Sequence, residues 1–145
     1  MDTMKGWHFL AKDRRLRWGT REVVEAGRTY RAEGTLRMCE NGMHASRRVL
    51  DALVYAPGPI ICRVELRGEL QHGTDKSLGR ERPVLWLADA TLVLHEFACT
   101  VVTDALHLRE ARGERVAWAA IEVKRQWLQG LATDQQLNAA RAAAW

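Results

Sequence analysis

The sequence predicts an α+β fold: a small antiparallel or mixed sheet, one early helix and a helical C-terminal third. Three observations carry this. Up to about residue 90 the chain consists of short, apolar-alternating runs separated by turn residues, the pattern of strands. Within that region one segment, at about residues 46–56, changes to helical spacing between a serine and a Pro-Gly-Pro stop. Beyond it the apolar residues recur at intervals of three and four, and a capping box precedes the last segment.

A chain of 145 residues that is 47% hydrophobic and 28% charged falls in the ordinary globular class and suits one domain over residues 1–145. The opening residues, MDTMKGWHFL, contain an acid and lack the long apolar run of a signal peptide. No window approaches the ~18 apolar residues of a membrane span, so the expected setting is cytoplasmic, without a membrane partner. Cys39, Cys62 and Cys99 are odd in number and far apart, which implies no disulfide framework. Cys62 and Cys99 lie in apolar runs and read as small core residues. Cys39, His44 and a distant third ligand match no zinc spacing, and no metal is expected. A net charge of +4 suits an anionic partner but falls short of an obligate nucleic-acid binder.

Taken in order, GWHFLA forms a strand and Lys12-Asp13 a turn before RLRW. Gly19, Gly27 and Gly34 punctuate short irregular strands. TLRMC runs into Asn41-Gly42, a strong turn signal. Ser46 is placed to cap a helix whose face is Val49, Leu50, Leu53 and Val54. PIICRVELRGEL is the clearest strand, with Arg63, Glu65 and Arg67 alternating outward. A turn at His72-Gly73 leads to a buried strand, PVLWLA. ATLVLHEFACTVV is then read as helix, with Thr103 capping a further helix that ends at Gly113. Val116, Ala120, Val123, Trp127 and Leu131 form an amphipathic stripe, and Thr133 with Gln136 caps a final segment ending on Trp145.

Three groups of residues are candidates for chemistry. His44, between an Asn-Gly turn and a helix start, is suited to hydrogen-bond a ribose or phosphate, or to lock the turn; with Ser46 it forms the first group. His8, between Trp7 and Phe9 on a strand, joins them only if the fold brings His8 and His44 together. The HGTDK turn places His72, Asp75 and Lys76 side by side, and Glu81 is a candidate catalytic carboxylate. The third group is basic with an aromatic: Lys12, Arg14, Arg15, Arg17, Trp18 and Arg21, a set able to grip phosphates and stack a base, or to cover apolar surface with arginine stems.

The Cys39-Glu40-Asn41-Gly42-Met43-His44-Ala45-Ser46 block, YAPGPIICRVELRGEL, Thr74-Asp75-Lys76 and the LNAARAAAW end together resemble a group of phage and prophage proteins with Ala/Arg/Trp-rich tails. That resemblance implies a phage context and no established activity. A second, weaker similarity is to the ADP-ribosyltransferase fold, with His8, the Gly42–Ser46 block, Tyr55 and Glu81 as counterparts. It implies NAD as cofactor; without it, none is expected. Across both resemblances and the HGTDK turn, the candidate ligand-binding set is His44, Ser46, Tyr55, Asp75 and Lys76. The glycine-threonine that usually follows the first histidine is missing. The leading expectation is a non-catalytic phage accessory protein that occupies a host macromolecule, for example a defence complex such as a CRISPR effector. The alternatives are a transferase-like nucleotide-binding module or enzyme using a His8/His44/Ser46 cleft, and a basic nucleic-acid binder.

Overall fold

The structure is a computed structural model, and it describes residues 2–108 and 115–144. The chain divides into two compact units, Met1–Ala90 and Thr91–Trp145, where its character changes from strand to helix.

The first unit contains β1 (Thr3–Leu10), β2 (Thr29–Arg31), β3 (Met43–Ala45), α1 (Val49–Val54), β4 (Ile60–Arg67), β5 (Gln71–His72), β6 (Ser77–Gly79) and β7 (Glu81–Asp89). A four-stranded antiparallel sheet runs in the order β1-β4-β7-β2, and a three-stranded one in the order β3-β6-β5. β4 is the centre of the larger sheet because its alternation is complete: Ile60, Cys62, Val64 and Leu66 are buried and the intervening residues half-buried. It pairs along its whole length with β1, from Thr3 opposite Arg67 to Leu10 opposite Ile60. Met4 and Leu10 on β1, Val84 on β7 and Tyr30 on β2 join the same core. On the opposite face Trp7 meets Trp86 edge-on at 5.7 Å, and the Arg63 guanidinium lies 4.6 Å over the Trp7 ring.

The two sheets meet at the outer edge of β1. Trp7 N–H donates to the Ser46 carbonyl at 2.7 Å, and Ser46 N–H donates to the Trp7 carbonyl at 2.9 Å. This approach requires Gly6, where a Cβ would stand 2.8 Å from the Ser46 oxygen and 3.1 Å from Ala45 Cβ. Ser46 is therefore a buried ladder residue, 2% exposed, and not a helix cap. The helix begins three residues later with Arg48 as N-cap and no side-chain cap bond. Its expected apolar face is also corrected: Ala52 is buried, whereas Val49, Leu50 and Val54 are exposed.

The turn before β3 falls ahead of Asn41-Gly42. Arg37 and Asn41 exchange backbone hydrogen bonds around Met38–Glu40, with Cys39 at φ +68°. The Asn41 side chain pins this loop by donating to the carbonyls of Glu33 and Thr35 at 2.7 and 2.9 Å.

The second unit contains α2 (Thr91–Leu108), α3 (Arg115–Leu128) and α4 (Asp134–Ala143), with α3 packed on both others. Thr103 lies inside α2 and caps nothing; its hydroxyl accepts from Arg125 on α3. The expected helix end at Gly113 and the terminal Trp145 lie outside the described residues. The α3 stripe is displaced, since Ile121 is the buried residue while Val116 and Leu131 are exposed. Thr133 and Gln136 form a reciprocal capping box at the start of α4. Among the described residues no helix is long and apolar enough to cross a membrane.

Replacing Gly6 with alanine forces the Trp7–Ser46 pair apart. The expected cost is about 2 kcal/mol, seen in thermal denaturation as a midpoint lowered by about 10 °C; an unchanged midpoint would show that the two sheets are held together elsewhere.

Candidate functional site

Strand alternation places the side chains of Met4, Gly6, His8 and Leu10 on one face of β1, the face that meets the β4 core. Arg82 and Val84 occupy the matching face of β7. Between this face and the Cys39–Ser46 segment lies a cavity of about 510 Å³. Its lining comes from β1, the 13–21 loop, the Cys39–Ser46 segment, a wall of Ala52, Tyr55, Pro57 and Lys76, and Arg82 on β7.

The sequence candidates separate on this geometry. His8, His44, Ser46, Tyr55 and Lys76 all line the cavity, so the two histidines distant in sequence share one space. Asp75 stands behind the wall, accepting a 2.6 Å hydrogen bond from the Tyr55 hydroxyl. The Lys76 ammonium sits 4.2 Å over the Tyr55 ring. Of the basic group, Arg15, Arg17, Trp18 and Arg21 line the cavity. Lys12 is exposed outside it. Arg14 lies outside it as well, at φ +59°, where its backbone shapes the turn after β1. Glu81 is absent from the lining and is engaged by Arg31 at 2.7 Å. His72 bonds Ser77 across its own hairpin at 2.9 Å.

Sequence reasoning missed one buried cation of the site. Arg82 is 4% exposed and lines the cavity. One terminal nitrogen donates to the His44 carbonyl at 2.9 Å, while its Nε is buried with no partner. Burial lowers its pKa to about 10. The only hint in the sequence is a charged residue immediately before the apolar run PVLWLA.

The remaining lining is strongly cationic. Arg15, Arg17, Arg21, Lys76 and Arg82 face a single carboxylate, Asp13, which accepts the Arg15 backbone N–H. Burial first, then Arg82 and then His44, hold the His8 pKa well below its usual 6.5. The His44 pKa is also lowered, by burial, Lys76 and Arg82, against a smaller opposing hydrogen bond at Gly42. Its Nε2 accepts from the Cys39 N–H at 3.3 Å. Both rings are therefore neutral at pH 7 and able to accept or donate hydrogen bonds. Tyr55 has its pKa raised, chiefly by the bond to Asp75, and stays a phenol. Among the described residues no group of three or more His, Cys, Asp or Glu is arranged to hold a metal ion.

Fold and cavity together define an α+β domain with a cationic, imidazole-bearing cleft between two small sheets. Residues 4–96, more than half of the chain, match the model described as Domain of unknown function (DUF7666), and the chain belongs to that family. No curated protein and no solved structure matches.

Because both histidines have folded pKa values below their unfolded ones, the unfolded chain takes up protons first as pH falls. Stability is full above about pH 6.5 and declines below it, by up to ~1.4 kcal/mol per pH unit for each histidine that remains neutral in the fold. His8→Gln is expected to flatten this acid limb in melting experiments between pH 7.5 and 5; an unchanged slope would mean that His8 is not the group being titrated.

Proposed function

We propose that the Met1–Ala90 unit binds a nucleotide-class ligand in the cleft. The observation that carries this is the convergence of His8, His44 and Ser46 with Trp18, Tyr55 and several cations on one cavity. At about 510 Å³ it is within the usual range for small-molecule sites. Each part has a role in holding such a ligand. Trp18, 74% exposed and backed at 5.5 Å by Arg17, offers a stacking face at the rim. Tyr55, held by Asp75, offers a second. The guanidinium groups supply charge and forked donors for phosphate. The neutral imidazoles supply hydrogen bonds for hydroxyls.

Glu81, the candidate catalytic carboxylate, lies outside the lining and is engaged by Arg31, so the reading is of binding and not of group transfer. The arginines Arg15, Arg17 and Arg21 serve this same cleft, and a plain nucleic-acid binder is the less economical account of them.

The test is a thermal-shift titration of wild type and His44→Ala with AMP, ATP and NAD. A ligand at ~100 times its Kd adds about 2.7 kcal/mol, a rise of several degrees. The expected result is such a rise in the wild type and a clearly smaller one in the variant. No shift with any nucleotide would overturn the reading.

A second reading, a phage-derived accessory protein that occupies a host macromolecule, is favoured by α2. There Leu92, Val93, Phe97, Val101 and Val102 are all exposed, and exposed apolar surface marks sites of association. Val93→Lys with Val101→Lys is expected to leave nucleotide shifts intact and abolish co-purification of a host partner; equal recovery of that partner would remove this reading.

A further inference from the structure

We propose that Arg82 is the residue that pairs with the ligand's phosphate, and that the cleft takes this phosphate inward as a terminal group, with the base at the rim. The inference rests on the nucleotide reading above and adds to it an orientation and a preference among nucleotides.

Two arginines two residues apart make the case. Arg80 is also largely buried, with its side chain 14% exposed, but every part of its fork is used. It donates to both Glu69 carboxylate oxygens at 2.9 Å and to the carbonyls of Ala32 and Gly34 at 2.9 and 2.6 Å. Arg80 is a structural clamp. Arg82 is more deeply buried and has only the His44 carbonyl, with Nε left unpartnered. Among the described residues no carboxylate pairs with it. An enclosed cation without a counter-ion is costly, and structures retain one where an anion arrives from outside.

The position of Arg82 gives the orientation. It lines the cavity and is 4% exposed, so it belongs to the enclosed end, next to His8. The aromatic faces are open to solvent, with Trp18 74% and Tyr55 43% exposed. A nucleotide spanning the cleft therefore places its phosphate inward and its base outward. An enclosed end suits a phosphate that terminates its molecule. It is unsuited to the internal pyrophosphate of NAD, which must continue into a second nucleoside. Neutral His8 and the buried guanidinium then supply hydrogen bonds to the phosphate oxygens.

The experiment compares wild type, Arg82→Met and Arg82→Lys by calorimetric titration with AMP, adenosine, pyrophosphate and NAD, after circular dichroism has established which variants fold. Wild type is expected to bind AMP about 10- to 100-fold more tightly than adenosine, the contribution of a charge-assisted contact, and more tightly than NAD. In Arg82→Met the affinity for AMP should fall to that for adenosine, while adenosine binding is unchanged. Arg82→Lys keeps the charge but not the fork; it is expected to retain part of the AMP preference, and it carries the comparison if the methionine variant does not fold. Equal binding of AMP and adenosine by wild type, or AMP binding insensitive to both substitutions, overturns the assignment of Arg82 and leaves the nucleotide reading standing. NAD bound more tightly than AMP overturns the terminal-phosphate orientation. Pyrophosphate binding that depends on Arg82, with no AMP bound, removes the nucleotide reading and keeps the anion site. No binding of any probe removes both.

Discussion

The backbone pair between Trp7 and Ser46 is the contact on which the site depends. Two short hydrogen bonds, at 2.7 and 2.9 Å, fix the Cys39–Ser46 segment beside β1, and the missing side chain of Gly6 makes room for them. The consequence is geometric. His8 follows Trp7, and His44 precedes Ser46 by two residues, so joining Trp7 to Ser46 brings both imidazoles to one cavity. The Arg82 bond to the His44 carbonyl adds a third strand to the same junction. Without the junction the chain would still have a four-stranded sheet, but its histidines would face different surroundings.

The electrostatics of the cleft run against stability. Burial keeps both imidazoles uncharged and depresses the Arg82 pKa to about 10, and the lining has one carboxylate against five cations. A chain optimised for stability alone would place a methionine or leucine at Arg82, since apolar replacement of buried charge is often neutral or stabilising. Local departures of this kind concentrate at functional sites and are compensated elsewhere, here by the complete β1–β4 ladder and the fully paired Arg80 clamp.

What the sequence made legible was whatever depends on local pattern. The alternation of β4, the Thr133–Gln136 box and the change of character near residue 90 are read directly from neighbouring residues. The convergence of His8 and His44 was legible only as a condition, because nothing local states that Trp7 will pair with Ser46. That pairing also explains the failure at Ser46: its local context suits a cap, but a distant strand claims its backbone. Arg82 shows the sharpest limit. In RERPVLW the carboxylate of Glu81 is the residue type suited to catalysis, yet side chains alternate along a strand, and moving one residue exchanges the two faces. Glu81 turns to Arg31, and its neighbour enters the cavity.

The lining residues run from Trp7 to Arg82, entirely within the span matched by the family model, residues 4–96. The cleft thus lies wholly inside the matched span. Within it the cations divide by depth. Arg15, Arg17 and Arg21 are exposed on their loop, where water and salt screen them beyond about 10 Å; on the proposed reading they would gather anions to the mouth. Arg82 is shielded from that screening and acts at contact distance, where on the proposed reading one phosphorylated ligand would be distinguished from another. On the proposed reading, the rim would attract any anion and the floor would hold one terminal group, which accounts for five cations against one carboxylate in a single lining.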